Sequence, residues 1–124
     1  MKTVVLGATT NPERYAYLAV KRLLKFGHEV VPVGKKKGEI DGIKIHTDMP
    51  DIKDVHTVTL YLNPMHQKEM YNYILSLHPK RVIFNPGAEN PEFEAIARKN
   101  GIEATEACTL VLLSTGMYET ADKQ

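Results

Sequence analysis

Gly7-Ala8-Thr9-Thr10-Asn11-Pro12-Glu13-Arg14 follows a β-branched run and precedes a helical pattern, a place where a chain can hold a phosphate. Free backbone N–H groups and the dipole at a helix start favour an anion, and Gly7 permits close approach of the backbone to it. The loop has neither the other two glycines of the dinucleotide fingerprint nor the Gly-Lys-Ser/Thr ending of a P-loop. Gly34-Lys35-Lys36-Lys37 ends the next apolar run, where NAD-binding domains place an acidic residue that receives the ribose hydroxyls. Lysines cannot accept those hydrogen bonds. The position therefore suits a ribose that itself carries a phosphate, as in coenzyme A or NADP, and disfavours plain NAD.

The nucleophiles and titratable groups point to no reaction centre. Cys108 has no neighbour in sequence that would lower its pKa, and Glu106 would raise it, so a structural thiol is expected. The histidines at 28, 46, 56, 66 and 78 show no paired metal-ligand spacing. Only His66, at the start of a helix beyond an apolar run, is placed to touch a ligand. Glu89, Glu92 and Glu94 cluster at a helix start, where they serve the helix dipole.

These residues need a scaffold, and the pattern supplies one. Residues 2–6, 28–33, 57–62, 81–84 and 102–105 read as strands, with a looser one at 42–46 inside a polar, turn-rich stretch. A helix capped by Asn11, with Pro12 at its first position, is expected to carry the stripe Tyr15, Ala19, Leu23, Phe26 and to stop at Gly27. Asn63-Pro64 opens a second helix with the stripe Met70, Tyr73, Ile74, Leu77, and Asn90-Pro91 opens a third that runs to about Asn100 before Gly101. Strands alternating with helices imply a three-layer, Rossmann-like α/β domain, a mainly parallel sheet of about five strands with helices on both faces. The ligand crevice of such a sheet lies beyond the carboxyl ends of its strands, where Asn11, Asn63 and Asn85 fall.

At 124 residues the chain fits one domain, residues 1–124. No apolar run approaches the roughly 18 residues of a membrane span, and the start is too short in apolar residues for a secretion signal, so a cytoplasmic protein is expected. One cysteine allows no internal disulfide, and a net charge of +1 argues against general nucleic-acid binding.

An ordered set of short motifs adds a resemblance over nearly the whole chain. Gly7-Ala8-Thr9, Pro12, Arg14 and Tyr17 are followed by Val31-Pro32-Val33, Gly42, Met49-Pro50, Tyr61-Leu62-Asn63-Pro64, Ile83-Phe84-Asn85-Pro86-Gly87 and Glu106-Ala107-Cys108. In this order the chain resembles the small, single-domain CoA-binding proteins related to the CoA-binding domain of succinyl-CoA synthetase and acyl-CoA synthetases. It departs from them at Leu62 and Asn63, where the family has two arginines, at Ala107, which replaces another, and at Lys35 to Lys37. The phosphorylated histidine of succinyl-CoA synthetase comes from a different domain, and nothing here replaces it. The resemblance implies a non-catalytic module for CoA or an acyl-CoA. The pyrophosphate is expected on residues 7 to 14, the 3′-phosphate near Gly34 to Lys37, and walls at Asn63-Pro64 and Asn85-Pro86-Gly87. The alternatives are an NADP-binding oxidoreductase-like subunit, and a ligand-free protein that uses the same edge for a protein partner or a homo-oligomer.

Overall fold

The computed structural model describes residues 1–120, so residues 121–124 of the expected domain lie outside the described part. Strands β1 (Thr3–Leu6), β2 (Val30–Val33), β5 (Thr57–Leu60), β6 (Arg81–Phe84) and β7 (Glu103–Glu106) form one sheet in the order β2-β1-β5-β6-β7. Every pairing in it is parallel, from Thr3 opposite Val30 and Thr57 to Arg81 opposite Glu103. The fold is thus α/β and Rossmann-like. After β1 the chain moves outward to β2 and then returns to the other side of β1 for β5, which makes the β1/β5 boundary the switch point of the sheet.

Each strand sends alternate side chains to opposite faces, and the two cores sort accordingly. Val4, Leu6, Val58, Leu60, Val82 and Phe84 pack on one face beneath α3 (Tyr71–Ser76) and α4 (Pro91–Lys99). Val5 and Ile83 pack on the other, beneath α1 (Tyr15–Lys25), α5 (Thr109–Ser114) and α6 (Met117–Thr120). This second face also buries Thr57, Thr59 and Arg81. The Arg81 guanidinium donates to Thr57 Oγ1 and the Tyr118 carbonyl and lies 4.6 Å from the centre of the Tyr118 ring.

Local departures from the expected elements have physical causes. Helix α1 starts at Tyr15 with Arg14 as its N-cap, not at Pro12. Asn11 instead closes a turn, its side chain accepting from the Glu13 amide and its carbonyl from the Arg14 amide. The face of α1 that is buried is Ala16, Ala19, Val20 and Leu23, because small residues let the helix sit close to the sheet, while Tyr15 and Phe26 are exposed. The helix expected after Asn63 is broken into α2 (Pro64–Gln67), a 3₁₀ turn (Lys68–Met70) and α3. The break follows Gln67, a fully buried side chain whose amide donates to the Leu62 and Ala88 carbonyls and pins that turn to the strand exits. The apolar stretch 110–113 lies in α5, and β7 starts one residue later than expected.

The edges of the sheet are covered in different ways. A small antiparallel hairpin, β3 (Glu39–Ile40) and β4 (Ile43–Lys44), leads into His46, which bridges Val33 in parallel and bonds the Pro32 carbonyl and Gly34 amide of the β2 edge. On the opposite edge, Arg98 Nη2 donates to the Ala104 carbonyl of β7 at 3.1 Å. No helix among the described residues is long and apolar enough to cross a membrane.

Candidate functional site

The three strand exits at the switch point are locked together by backbone contacts that only glycine permits. Gly7 has φ +98°, and a Cβ there would stand 2.8 Å from the Tyr61 carbonyl oxygen. A Cβ on Gly34 would collide with the Ala8 carbonyl oxygen. The Gly7 and Ala8 amides both donate to the Val33 carbonyl, at 2.9 and 3.0 Å. The first loop is thereby wedged between the β2 and β5 exits, and the start of α1 opens onto the space above it.

That space is a cavity of about 960 Å³ along the carboxyl ends of β2, β1, β5 and β6. Of the residues expected at a ligand site, Gly7, Ala8, Thr9, Thr10, Arg14, Gly34, Lys35, Lys36, Asn63, Pro86 and Gly87 line it together. Lys37, Pro64 and Asn85 do not. Lys37 is exposed beyond the end of the loop, and Pro64 is the exposed first residue of α2. Asn85 is buried beneath the floor, where Nδ2 donates to Thr59 Oγ1 and the Leu60 carbonyl and Oδ1 accepts from the Thr109 amide. With both ends of its amide engaged, it ties strand ends to α5. His66 also lines the cavity, as expected for the start of the second helix.

The lining includes residues that the sequence did not single out for the site: Thr47 and Met49 on the loop after His46, Tyr61 and Leu62 after β5, and Glu69 and Met70 on the 3₁₀ turn. Met70 reads as a core residue by periodicity, while Met49 and Leu62 stand out in the sequence only through the resemblance, Met49 beside Pro50 and Leu62 in place of an arginine. Their approach to the strand ends is a property of tertiary structure. Arg14, Lys35 and Lys36 are the basic groups of the lining, and Glu13 and Glu69 its carboxylates.

Neither the Tyr61 phenol nor the Cys108 thiol presents its reactive group to the cavity. Burial pushes the Tyr61 phenol well above its usual range, with the Thr109 and Thr59 hydroxyls beside it offsetting part of the effect. Its hydroxyl is sealed from solvent beside the Thr59 and Thr109 hydroxyls, which bond each other at 2.8 Å, and among the described residues none bonds it in good geometry. Cys108 is half-buried at the start of α5, outside the lining. The acidic cluster beyond β6 is occupied structurally: Glu89 accepts from the Gly87 amide, and Glu94 from the Asn90 amide. Glu106 is held above the usual carboxylate range by its hydrogen bond to Glu94 and the charge of that residue. A second depression, about 540 Å³ and lined by Lys21, Arg22, Lys25 and Asp41, lies on the outer surface of α1, away from the strand ends. Among the described residues there is no group of three or more metal-ligating side chains.

Comparison with known proteins identifies the fold and the family. A solved structure described as an uncharacterized protein is 59% identical to this chain, with a TM-score of 0.93, covering 94% of this chain and 97% of its own. A protein from Thermus thermophilus is 25% identical with a TM-score of 0.82, over 94% of this chain and 90% of its own. The dinucleotide-forming acetyl-coenzyme A synthetase 1 of Ca. Korarchaeum cryptofilum shares the fold alone, at 18% identity and a TM-score of 0.66, over 86% of this chain and 25% of its own. No curated protein matches the chain. The family described as CoA binding domain matches residues 1–114. With the match spanning all five strands of the sheet and the whole cavity at their ends, the chain belongs to the CoA binding domain family.

Proposed function

We propose that this protein binds coenzyme A or an acyl-CoA in the cavity at the β1/β5 switch point without transforming it. The observation that carries the reading is that Arg14, Lys35 and Lys36 share one cavity with the first turn of α1. The first amides of a helix have no partner within it, and their dipole favours a phosphate. Glycine at positions 7 and 34 keeps the loop below them close to the strand ends. In this reading the loop from Gly7 to Arg14 holds the pyrophosphate, and Lys35 and Lys36 hold the 3′-phosphate. CoA supplies a thiol that carries acyl groups as thioesters. The chain supplies binding and orientation, because the Tyr61 hydroxyl is sealed and Cys108 stands outside the lining.

NADP also carries a phosphate on its ribose, so the test sets the two against each other. Native mass spectrometry and calorimetry of the parent with CoA, 3′-dephospho-CoA and NADP should rank CoA first. Replacing Lys35 and Lys36 together with alanine should weaken CoA roughly tenfold while changing 3′-dephospho-CoA little, the modest size reflecting two exposed lysines. Lys37→Ala should leave both unchanged. A parent that prefers NADP, or that ignores all three ligands, would overturn the reading.

A further inference from the structure

Met49 sits at φ +51°, in the left-handed region where a side chain is uncommon and strained. Glycine would sit there freely, yet the position carries a long, unbranched side chain that lines the cavity while half exposed. Leu62 and Met70 line the same cavity, and both pack against the core beneath α3 and α4. They give this wall an apolar surface, whereas the loop from Gly7 to Arg14 and the lysines after β2 give a polar, basic one. Tyr73, one helical turn beyond Met70, donates its hydroxyl to the Pro50 carbonyl at 2.6 Å. The Tyr73 pKa is pushed up to about 12 by burial and then by Asp48 and Asp51, so the group remains a donor across the physiological range. The loop it holds ends at Asp54, again at positive φ, and no strand pairing fixes the residues between.

We propose that Tyr73 is a positioning residue: through the Pro50 carbonyl it holds Met49 as one wall of an apolar slot, closed by Leu62 and Met70, that takes the flat base of the bound nucleotide. This rests on the nucleotide reading above and assigns the base to one part of that cavity. Thioether side chains are polarizable and make favourable contacts with flat aromatic rings, so two methionines and a leucine suit a base better than a phosphate. Charge complementarity orients the ligand, since phosphates beside Arg14, Lys35 and Lys36 leave the base for the uncharged wall. Glu69 and His66, which share the lining, are exposed on the helix turns at the rim.

The test divides the ligand. Calorimetry is run with CoA, with adenosine 3′,5′-bisphosphate, which holds the base, and with 4′-phosphopantetheine, which lacks it, on the parent, Tyr73→Phe and Met49→Gly. Each variant should lose about three- to tenfold in affinity for CoA and the bisphosphate, the scale of one lost hydrogen bond or packing contact, with 4′-phosphopantetheine unaffected. Met49→Gly should melt no earlier than the parent, since glycine removes the strain, which separates lost recognition from lost folding. Variants that bind all three ligands like the parent, or that weaken both fragments equally, overturn the slot and leave CoA binding intact. So does a parent that binds CoA but not the bisphosphate. A parent that binds none of the three removes the nucleotide reading and the slot together.

Discussion

Four Asn-Pro pairs in this chain do three different jobs. Asn63 and Asn90 are helix N-caps whose side chains accept from the His66 and Phe93 amides, with proline next in line where its missing N–H costs nothing. Both were legible in sequence, because a cap and the helix it serves are neighbours. Asn11 closes a turn before α1, and Asn85 lashes β5, β6 and α5 together. The role of Asn85 was not legible, since its partners lie 24 to 26 residues away and only folding brings them within reach. The difference is measurable. Asn85→Ala strands buried donors and acceptors and should cost about 3 kcal/mol of unfolding free energy in urea titration, whereas Asn63→Ala, an exposed cap, should cost about 1 kcal/mol. Equal losses would mean that Asn85 is only another corner.

At the scale of elements, the five strands of the main sheet and the capped starts of α2 and α4 were readable, while β3, the phase of α1, the break at Lys68–Met70 and helix α5 were not, and the strand expected at 42–46 is only Ile43–Lys44. Periodicity favours large apolar residues, so Tyr15 and Phe26 looked like core when the helix docks through Ala16 and Ala19. The long-range bonds of Gln67 set the break, and no local pattern encodes them. The half of the candidate cavity on the first loop was visible from glycine and lysine positions, whereas nothing local marked Met49, Leu62 and Met70 as its other wall. The glycines now divide sharply. Gly34→Ala drives a methyl into the Ala8 carbonyl, a backbone atom that cannot turn aside, so both melting temperature and CoA affinity should fall. Gly87→Ala meets no protein atom and costs only its φ of +92°, about 1 kcal/mol, so its melting temperature should fall less than that of Gly34→Ala. Thermal melting with calorimetry on both variants checks the pair, and a Gly34→Ala protein that binds like the parent would detach this loop from the site.

For the whole molecule, the parallel sheet has the candidate site at one end of its strands and a titratable cluster at the other. His28 precedes β2, is buried, and holds Nδ1 3.0 Å from the Met1 amino group, with its ring 4.9 Å from that of Tyr118. Burial lowers its pKa, the Met1 amino group, Arg81 and His56 add to the shift, and Glu119, 4.0 Å from Nε2, opposes it. A histidine that resists protonation only when folded binds more protons unfolded, so stability is full above about pH 6.5 and declines as pH falls from there through the lower folded value. Unfolding free energy measured from pH 8 to pH 5 should show this decline, His28→Gln should flatten it, and CoA affinity at the far end of the strands should not follow it. The covered edges of the sheet carry a different consequence. Pro32 and the His46 bridge occupy the outer side of β2, and Arg98 occupies the outward Ala104 carbonyl of β7, so each flank is broken as a hydrogen-bonding template. In a concentrated solution, where open strand flanks would zip neighbouring molecules into a growing fibre, these interrupted flanks offer no continuous edge to extend.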